Sequence, residues 1–203
     1  MSSLRGGLPL HHRRIGRADL AAVQLLDLDP DQVERFLGPL PEILETVRRG
    51  PLHSLIGVEA AGRPIGFYVL HPDRRDAACW WLGWLAISRS QQGMGHGRRI
   101  MEAVIARLRL VPGCRRIRLL VAPDNPGALR LYQRAGFRLQ ATWPATGELL
   151  LECALDGGQP YELLAPQSLG RRFSGRDEGH LRLRPPCGPH AARVIGVERG
   201  PPG

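Results

Sequence analysis

The residues with the clearest chemical potential lie in Gln92-Gly93-Met94-Gly95-His96-Gly97, between the apolar run Cys79–Ile87 and a helix-like pattern. Glycine lets a backbone take positive φ and come close to a ligand. The first N–H groups of a helix have no intrahelical acceptor, and the helix dipole is positive at that end. A strand, a glycine turn and a helix start in this order predict a cradle for an anion, suited to a pyrophosphate. Taken alone, the same residues also fit a plain turn before a helix, and the choice rests on the chain downstream.

Other reactive residue types read more plainly. His11-His12 has no third ligand nearby and is expected to be solvated rather than metal-bound. Cys79, Cys114, Cys153 and Cys187 show no CxxC spacing, so no metal site is expected. Cys79 and Cys153 fall in strand-like stretches as small apolar fillers. Trp80, Trp81 and Trp84 fit core packing, with a substrate-pocket wall as the alternative for Trp80 or Trp81. Asp27, Asp29, Asp31 and Glu34 fit helix capping and solvation, with recognition of a cation as the alternative.

These residues need elements to hold them. A short strand is expected over Arg14–Arg17, then an apolar stretch at helical spacing, Leu20, Val23, Leu25 and Leu26, capped by Asp19. Asp29-Pro30-Asp31 starts a helix, since proline suits the first turn and acids suit the positive end. Gly38-Pro39 stops it, and Leu40–Arg49 forms another helix with Ile43, Leu44 and Val47 inward. His53–Ala60 and Ile65–His71 read as a β-hairpin, with the polar loop Pro72–Asp76 after it, and His71, next to that loop and taken as a loop histidine, is expected to be solvated. The unbroken apolarity of Cys79–Ile87 suits a central strand buried on both faces. After the glycine turn, Ile100, Met101, Val104, Ile105 and Leu108 make one apolar helix face. Arg116–Val121 is a further buried strand. Asn125-Pro126 is a capped helix start, and Gly136 ends that helix in the left-handed conformation. Phe137–Ala141 and Glu148–Leu155 are the final strands. The alternation predicts an α/β (α+β) class, with a mixed central sheet of about six to seven strands flanked by helices.

The bulk numbers set limits. A chain of 203 residues with 43% hydrophobic residues can bury one sizeable core. The net charge is +9, with arginine supplying all 28 basic residues. That attracts polyanions in general, but no arginine block is interleaved with aromatics, so nucleic acid is not expected as a partner. No apolar run approaches the roughly 20 residues a membrane helix needs, and no signal-peptide run opens the chain. A cytoplasmic location is the expectation, which also suits the cysteine usage. Organisation is read as a flexible N-terminus (1–13), one folded domain (14–155) and a Gly/Pro/Arg-rich tail (156–203) expected to be mostly disordered.

Between Leu85 and Phe137 the chain resembles the GCN5-related N-acetyltransferase (GNAT) family. Three motifs in order carry the resemblance: Gln92-Gly93-Met94-Gly95-His96-Gly97, then Asn125-Pro126-Gly127-Ala128, then Leu131-Tyr132-Gln133-Arg134-Ala135-Gly136-Phe137. The resemblance implies the GNAT acyl-CoA N-acyltransferase fold and acetyl-CoA as co-substrate. It implies that the backbone of Leu85, Ala86 and Ile87 bonds the pantetheine arm. Gln92, Gly93, Met94, Gly95, His96 and Gly97 would wrap the pyrophosphate. Asn125 would reach the pantetheine, and Ala128 would leave room for the cofactor. Tyr132 would be the general acid, because amine attack on a thioester expels a thiolate that a nearby hydroxyl can protonate.

No base is assigned. Cys79–Ile87 carries no acid, and Glu59, His71, Asp73, Asp76 or a water relay stand as alternatives. Within the family the chain looks most similar to bacterial diamine and polyamine acetyltransferase-like members. This implies a small-molecule primary amine as acceptor, and a homodimer is a family expectation. A protein N-terminus, a lysine, an aminoglycoside, or acyl-CoA sensing without turnover remain the other readings.

Overall fold

Seven strands in the order β1-β2-β3-β4-β5-β7-β6 form one mixed sheet in the computed structural model, which describes residues 9–16, 19–155 and 194–195. The first half is antiparallel. β1 (Leu10–Arg14) pairs with β2 (Ser54–Ala60), β2 with β3 (Arg63–Pro72), and β3 with β4 (Cys79–Ile87). β4 then pairs in parallel with β5 (Arg116–Val121). The chain after β5 places β7 (Leu149–Ala154) against β5 and leaves β6 (Arg138–Thr142) at the far edge. Two further residues, Val194–Ile195, form β8 beside β4. The rest of the tail expected to be disordered, like residues 1–8, lies outside the described residues.

Helices cover both faces of the sheet. On one face, α4 (His96–Arg109) and α5 (Pro126–Arg134) bury Ile100, Met101, Val104, Leu108, Leu131 and Tyr132 against Leu82, Leu85 and Ile87. On the other lie α1 (Ala21–Gln24), α2 (Pro30–Gln32), a π-helical turn (Val33–Leu37) and α3 (Leu40–Arg49). Their Val23, Leu37, Ile43, Leu44 and Val47 meet Phe67, Val69, Trp84 and Ala86. β4 is therefore apolar throughout because it packs on both sides, as its composition predicts. Among the described residues no helix is long and apolar enough to cross a membrane.

Local signals explain most boundaries. Asp29 Oδ1 accepts from the N–H groups of Asp31 (3.1 Å) and Gln32 (3.3 Å), which starts α2 as expected. Asn125 Oδ1 accepts from Ala128 N at 3.0 Å and caps α5. Gly136, at φ 95°, carries the chain out of α5.

Four expectations are corrected. The first strand starts at Leu10, not Arg14, because residues 10–14 pair with the free edge of β2. His11 and His12 thus sit in the sheet, and His12 Nδ1 lies 3.2 Å from the Tyr68 hydroxyl. Asp19 does not cap α1: the cap position is Leu20, without a side-chain bond, and Asp19 instead faces Arg13 at 3.6 Å. Leu25, read as part of an apolar helix face, is 86% exposed because the helix ends at Gln24.

The fourth correction concerns His71, which is buried within β3 rather than solvated in a loop. Its ring lies 4.6 Å from that of His53 and stacks on Trp81 at 6.5 Å. Trp81 is core, not pocket wall: it meets Trp143 edge-on at 6.3 Å and donates Nε1–H to Asp73 at 2.7 Å. Burial, reinforced by His53, pushes the His71 imidazole down to about 4 from an ordinary 6.5.

Between those two values the unfolded chain binds more protons at His71 than the folded one, so stability is full above pH 6.5 and falls as pH drops toward 4. The ceiling of this contribution is about 3 kcal/mol. Replacing His71→Gln should flatten the dependence of the urea midpoint on pH across that window. An unchanged slope would remove His71 as its source.

Candidate functional site

Parallel β4 and β5 pair only at their starts, Cys79–Trp81 against Arg116–Arg118. Beyond Trp81 they part, and among the described residues the edge of β4 that faces β5 is met there only by β8, at Leu85 and Ala86. Leu85, Ala86 and Ile87 have buried side chains on alternate faces, so what they offer the gap is backbone. Their opposite edge is fixed to β3 at Tyr68, Phe67 and Gly66. A Cβ on Gly66 would stand 2.3 Å from the Ala86 carbonyl oxygen, so only glycine permits this close approach.

The glycine loop opens from the same end of β4. Ser88 N–H donates to Ile65 O (2.8 Å), and a 3₁₀ turn (Arg89–Gln91) leads into the loop. Gly93 and Gly95 take φ of 78° and 75°, a conformation that disfavours any other residue. The first bond into α4 runs from Arg99 N to Gly95 O at 3.3 Å. The N–H groups of His96, Gly97 and Arg98 precede it and point out of the helix start. Gly97 serves packing instead. Its Cβ would meet Leu131 Cδ2 at 3.3 Å and Ile87 Cδ1 at 3.7 Å, so its lack of a side chain seats α4 on α5 and β4. Met94 is 62% exposed at the loop tip. A polyphosphate fits this cradle by backbone donors and dipole.

The Gln92 side chain turns inward. Its Nε2 donates to Ile87 O (3.1 Å) and Gln32 Oε1 (3.1 Å), and its Oε1 accepts from Gln32 Nε2 at 3.4 Å. Gln92 thus positions the loop, and Gln32 was not among the residues expected here. Neither were Arg35 and Asp124, which pair at 2.9 Å. Gln92 follows β4 and Asp124 follows β5, so residues 32–35 bridge the two strand ends across the gap. Arg89 N–H also donates to Asp27 O at 2.7 Å. These partners are separated by tens of residues, and no local spacing announces them.

Tyr132 sits on α5 with its side chain fully buried, and its ring lies 5.5 Å from Phe137. Its hydroxyl is buried without a hydrogen-bond partner, and burial raises its pKa, which keeps the phenol protonated. A buried hydroxyl with no partner costs about 1–3 kcal/mol, a cost that an ordered water, a bound ligand or a catalytic role would account for. Ala128 faces the same core, and Asn125 commits its side-chain oxygen to the helix cap.

The candidate bases are dispersed. Asp73 accepts from Trp81, Arg75 N and Asp76 N. Asp76 is paired with Arg116, and Glu59 lies 3.6 Å from Arg13 on the far side of the sheet's first hairpin. Trp80 is half-buried against the α4 face, and Trp84 is buried under α1–α3. Of the carboxylates between α1 and α3, Asp29 is buried at its cap, while Asp27, Asp31 and Glu34 are exposed.

Comparison with known proteins agrees with this geometry. The model of the acetyltransferase (GNAT) family matches residues 20–137. A protein named probable spermine N(1)-acetyltransferase, from Bacillus subtilis subsp. natto, is 29% identical over 134 residues, covering 63% of this chain and 88% of the relative. A solved spermidine N-acetyltransferase from Vibrio cholerae, in complex with CoA and spermine, superposes with a TM-score of 0.59 at 18% identity, covering 72% of this chain and 95% of that one. An aminoglycoside acetyltransferase in complex with coenzyme A and kanamycin gives a TM-score of 0.60 at 22% identity over 72% and 95%. With the parted strands, the glycine loop and the family match in agreement, the chain belongs to the GNAT family and is an N-acetyltransferase.

Proposed function

We propose that this enzyme transfers the acetyl group of acetyl-CoA to a primary amine of a small polycation, with a polyamine as the preferred class. The observation that carries the proposal is the gap between β4 and β5, with the glycine cradle at one end and the unpartnered Tyr132 hydroxyl on the helix beside it. When bound, acetyl-CoA supplies an acyl group activated as a thioester. The backbone of Leu85, Ala86 and Ile87 holds the pantetheine arm as a pairing strand would. Backbone N–H groups from Gly93 to Arg98 hold the pyrophosphate at the positive end of α4. Gln92 orients that loop from within, and Asn125 and Ala128 shape the start of α5 beside it.

Tyr132 carries the proton for the departing sulfur on its hydroxyl. Its burial keeps that proton in place at all neutral pH values. Attack requires a neutral amine. Asp73 and Asp76 are tied to Trp81 and Arg116, and no acid stands on β4, so we route the amine's proton to solvent through water. The substrate class is supported by the named activity of the Bacillus relative. It is further supported by the exposed carboxylates Asp27, Asp31 and Glu34, which lie where a cation approaching the bridged strand ends would meet them.

In a CoA-release assay over an amine panel, spermidine should turn over faster than a neutral-amine control. Glu34→Ala should raise KM for spermidine while leaving KM for acetyl-CoA unchanged. No preference for spermidine, together with an unaltered Glu34→Ala enzyme, would discard the polyamine class. Tyr132→Phe should lower kcat by about 10²–10⁴-fold, the span of general acid catalysis, and full activity in that variant would strip Tyr132 of the role. Gln32→Ala should loosen the loop that Gln92 anchors and raise KM for acetyl-CoA several-fold. An unchanged KM would show that Gln92 needs only its bond to Ile87.

A further inference from the structure

The edge of β4 left open by β5 is not bare. Val194–Ile195 lies along it as a parallel strand, with Leu85 opposite Val194 and Ala86 opposite Ile195. The same two residues run beside the π-helical turn Val33–Leu37 that bridges the strand ends. A peptide backbone seated there satisfies N–H and C=O groups that a parted strand otherwise leaves without a protein partner. It does so by the same mode in which extended peptides add to open sheet edges elsewhere.

We propose that the C-terminal segment around Val194–Ile195 is an intramolecular competitor of the acyl donor, pairing with Leu85–Ala86 so that the donor enters only when the segment leaves. This rests on the reading that the pantetheine arm lies along Leu85–Ile87.

Two backbones cannot bond the same edge of one strand, so the two occupants exclude each other. The local sequence suits strand pairing. Val194, Ile195 and Val197 are β-branched residues in a region otherwise rich in Gly, Pro and Arg. Residues 156–193 connect β7 to β8, ample reach at about 3.3 Å per extended residue. Because the competitor is tethered, its effective concentration is set by that connection and not by the protein's own concentration. The apparent donor affinity then equals the intrinsic affinity reduced by the fraction of molecules whose edge is open. The chain thereby carries its own control on donor occupancy, one that any partner binding the C-terminal segment would relieve.

The test uses the full-length chain with CoA as probe and compares wild type with V194P/I195P, since proline removes the N–H groups that pairing needs. Calorimetry should find CoA bound about fivefold or more tightly by V194P/I195P, the gain expected if the segment holds the edge about four-fifths of the time. Amide exchange should slow at Leu85–Ile87 when CoA binds either protein, and in wild type it should quicken at Val194–Ile195. Equal or weaker CoA affinity in V194P/I195P overturns the competition while leaving the donor site intact. If CoA binds but leaves exchange at Leu85–Ile87 unaltered in both proteins, the donor placement itself fails and the competition falls with it.

Discussion

A strand that has a neighbour for only part of its length governs this structure. β4 is held on one edge by β3 along its whole length, and on the other by β5 only as far as Trp81. Backbone N–H and C=O groups in a buried sheet demand partners. A sheet that parts in its middle therefore offers a row of oriented donors and acceptors with no side-chain chemistry attached. A ligand with a backbone-like pattern of amides would match that row. That constraint explains why Leu85, Ala86 and Ile87 are apolar residues with buried side chains and yet lie at the centre of the proposed donor site.

Keeping such a gap open without letting the sheet fray needs bracing from outside it. The first helical segments supply that brace. The paired amides of Gln32 and Gln92 tie α2 to the loop after β4, and Arg35 reaches Asp124 after β5. The Arg35–Asp124 pair is solvent-exposed and contributes little energy on its own. The Gln92 contacts to Gln32 and to Ile87 O are partly buried and fix the loop more firmly. The brace also carries Asp27, Asp31 and Glu34 on its outer side. The elements that brace the parted strands thus also carry exposed negative charge.

Tyr132 shows how the fold sets reactivity through burial. Its hydroxyl is enclosed by the core formed by α4, α5 and the sheet, and it has no partner there. In that setting the phenol holds its proton firmly, as the proposed role of general acid requires. The same principle acts in reverse at His71, where burial beside His53 and Trp81 keeps the imidazole neutral and makes it a structural ring. Burial thus keeps both rings neutral, by raising the pKa of the phenol and lowering that of the imidazole.

The local code of the chain fixes a large part of this. Asp29-Pro30, Asn125-Pro126 and Gly136 mark helix ends because caps and turns depend on a few adjacent residues. Cys79–Ile87 announces a strand buried on both faces because every position is apolar, and the glycines after it announce a tight turn into a helix because backbone freedom is local. The strand over Leu10–Arg14 was hidden, since its pairing with β2 comes from residues far along the chain. The Gln32–Gln92 and Arg35–Asp124 bridges, the burial of His71 and the pairing of Val194–Ile195 with β4 were hidden for the same reason. Neighbouring residues alone are enough for most of the elements, for their caps and for a loop that can hold a phosphate. Where β4 parts from β5, what braces the parting and which hydroxyl is left unpartnered come from the folded chain, because those properties belong to contacts between segments that no local pattern encodes.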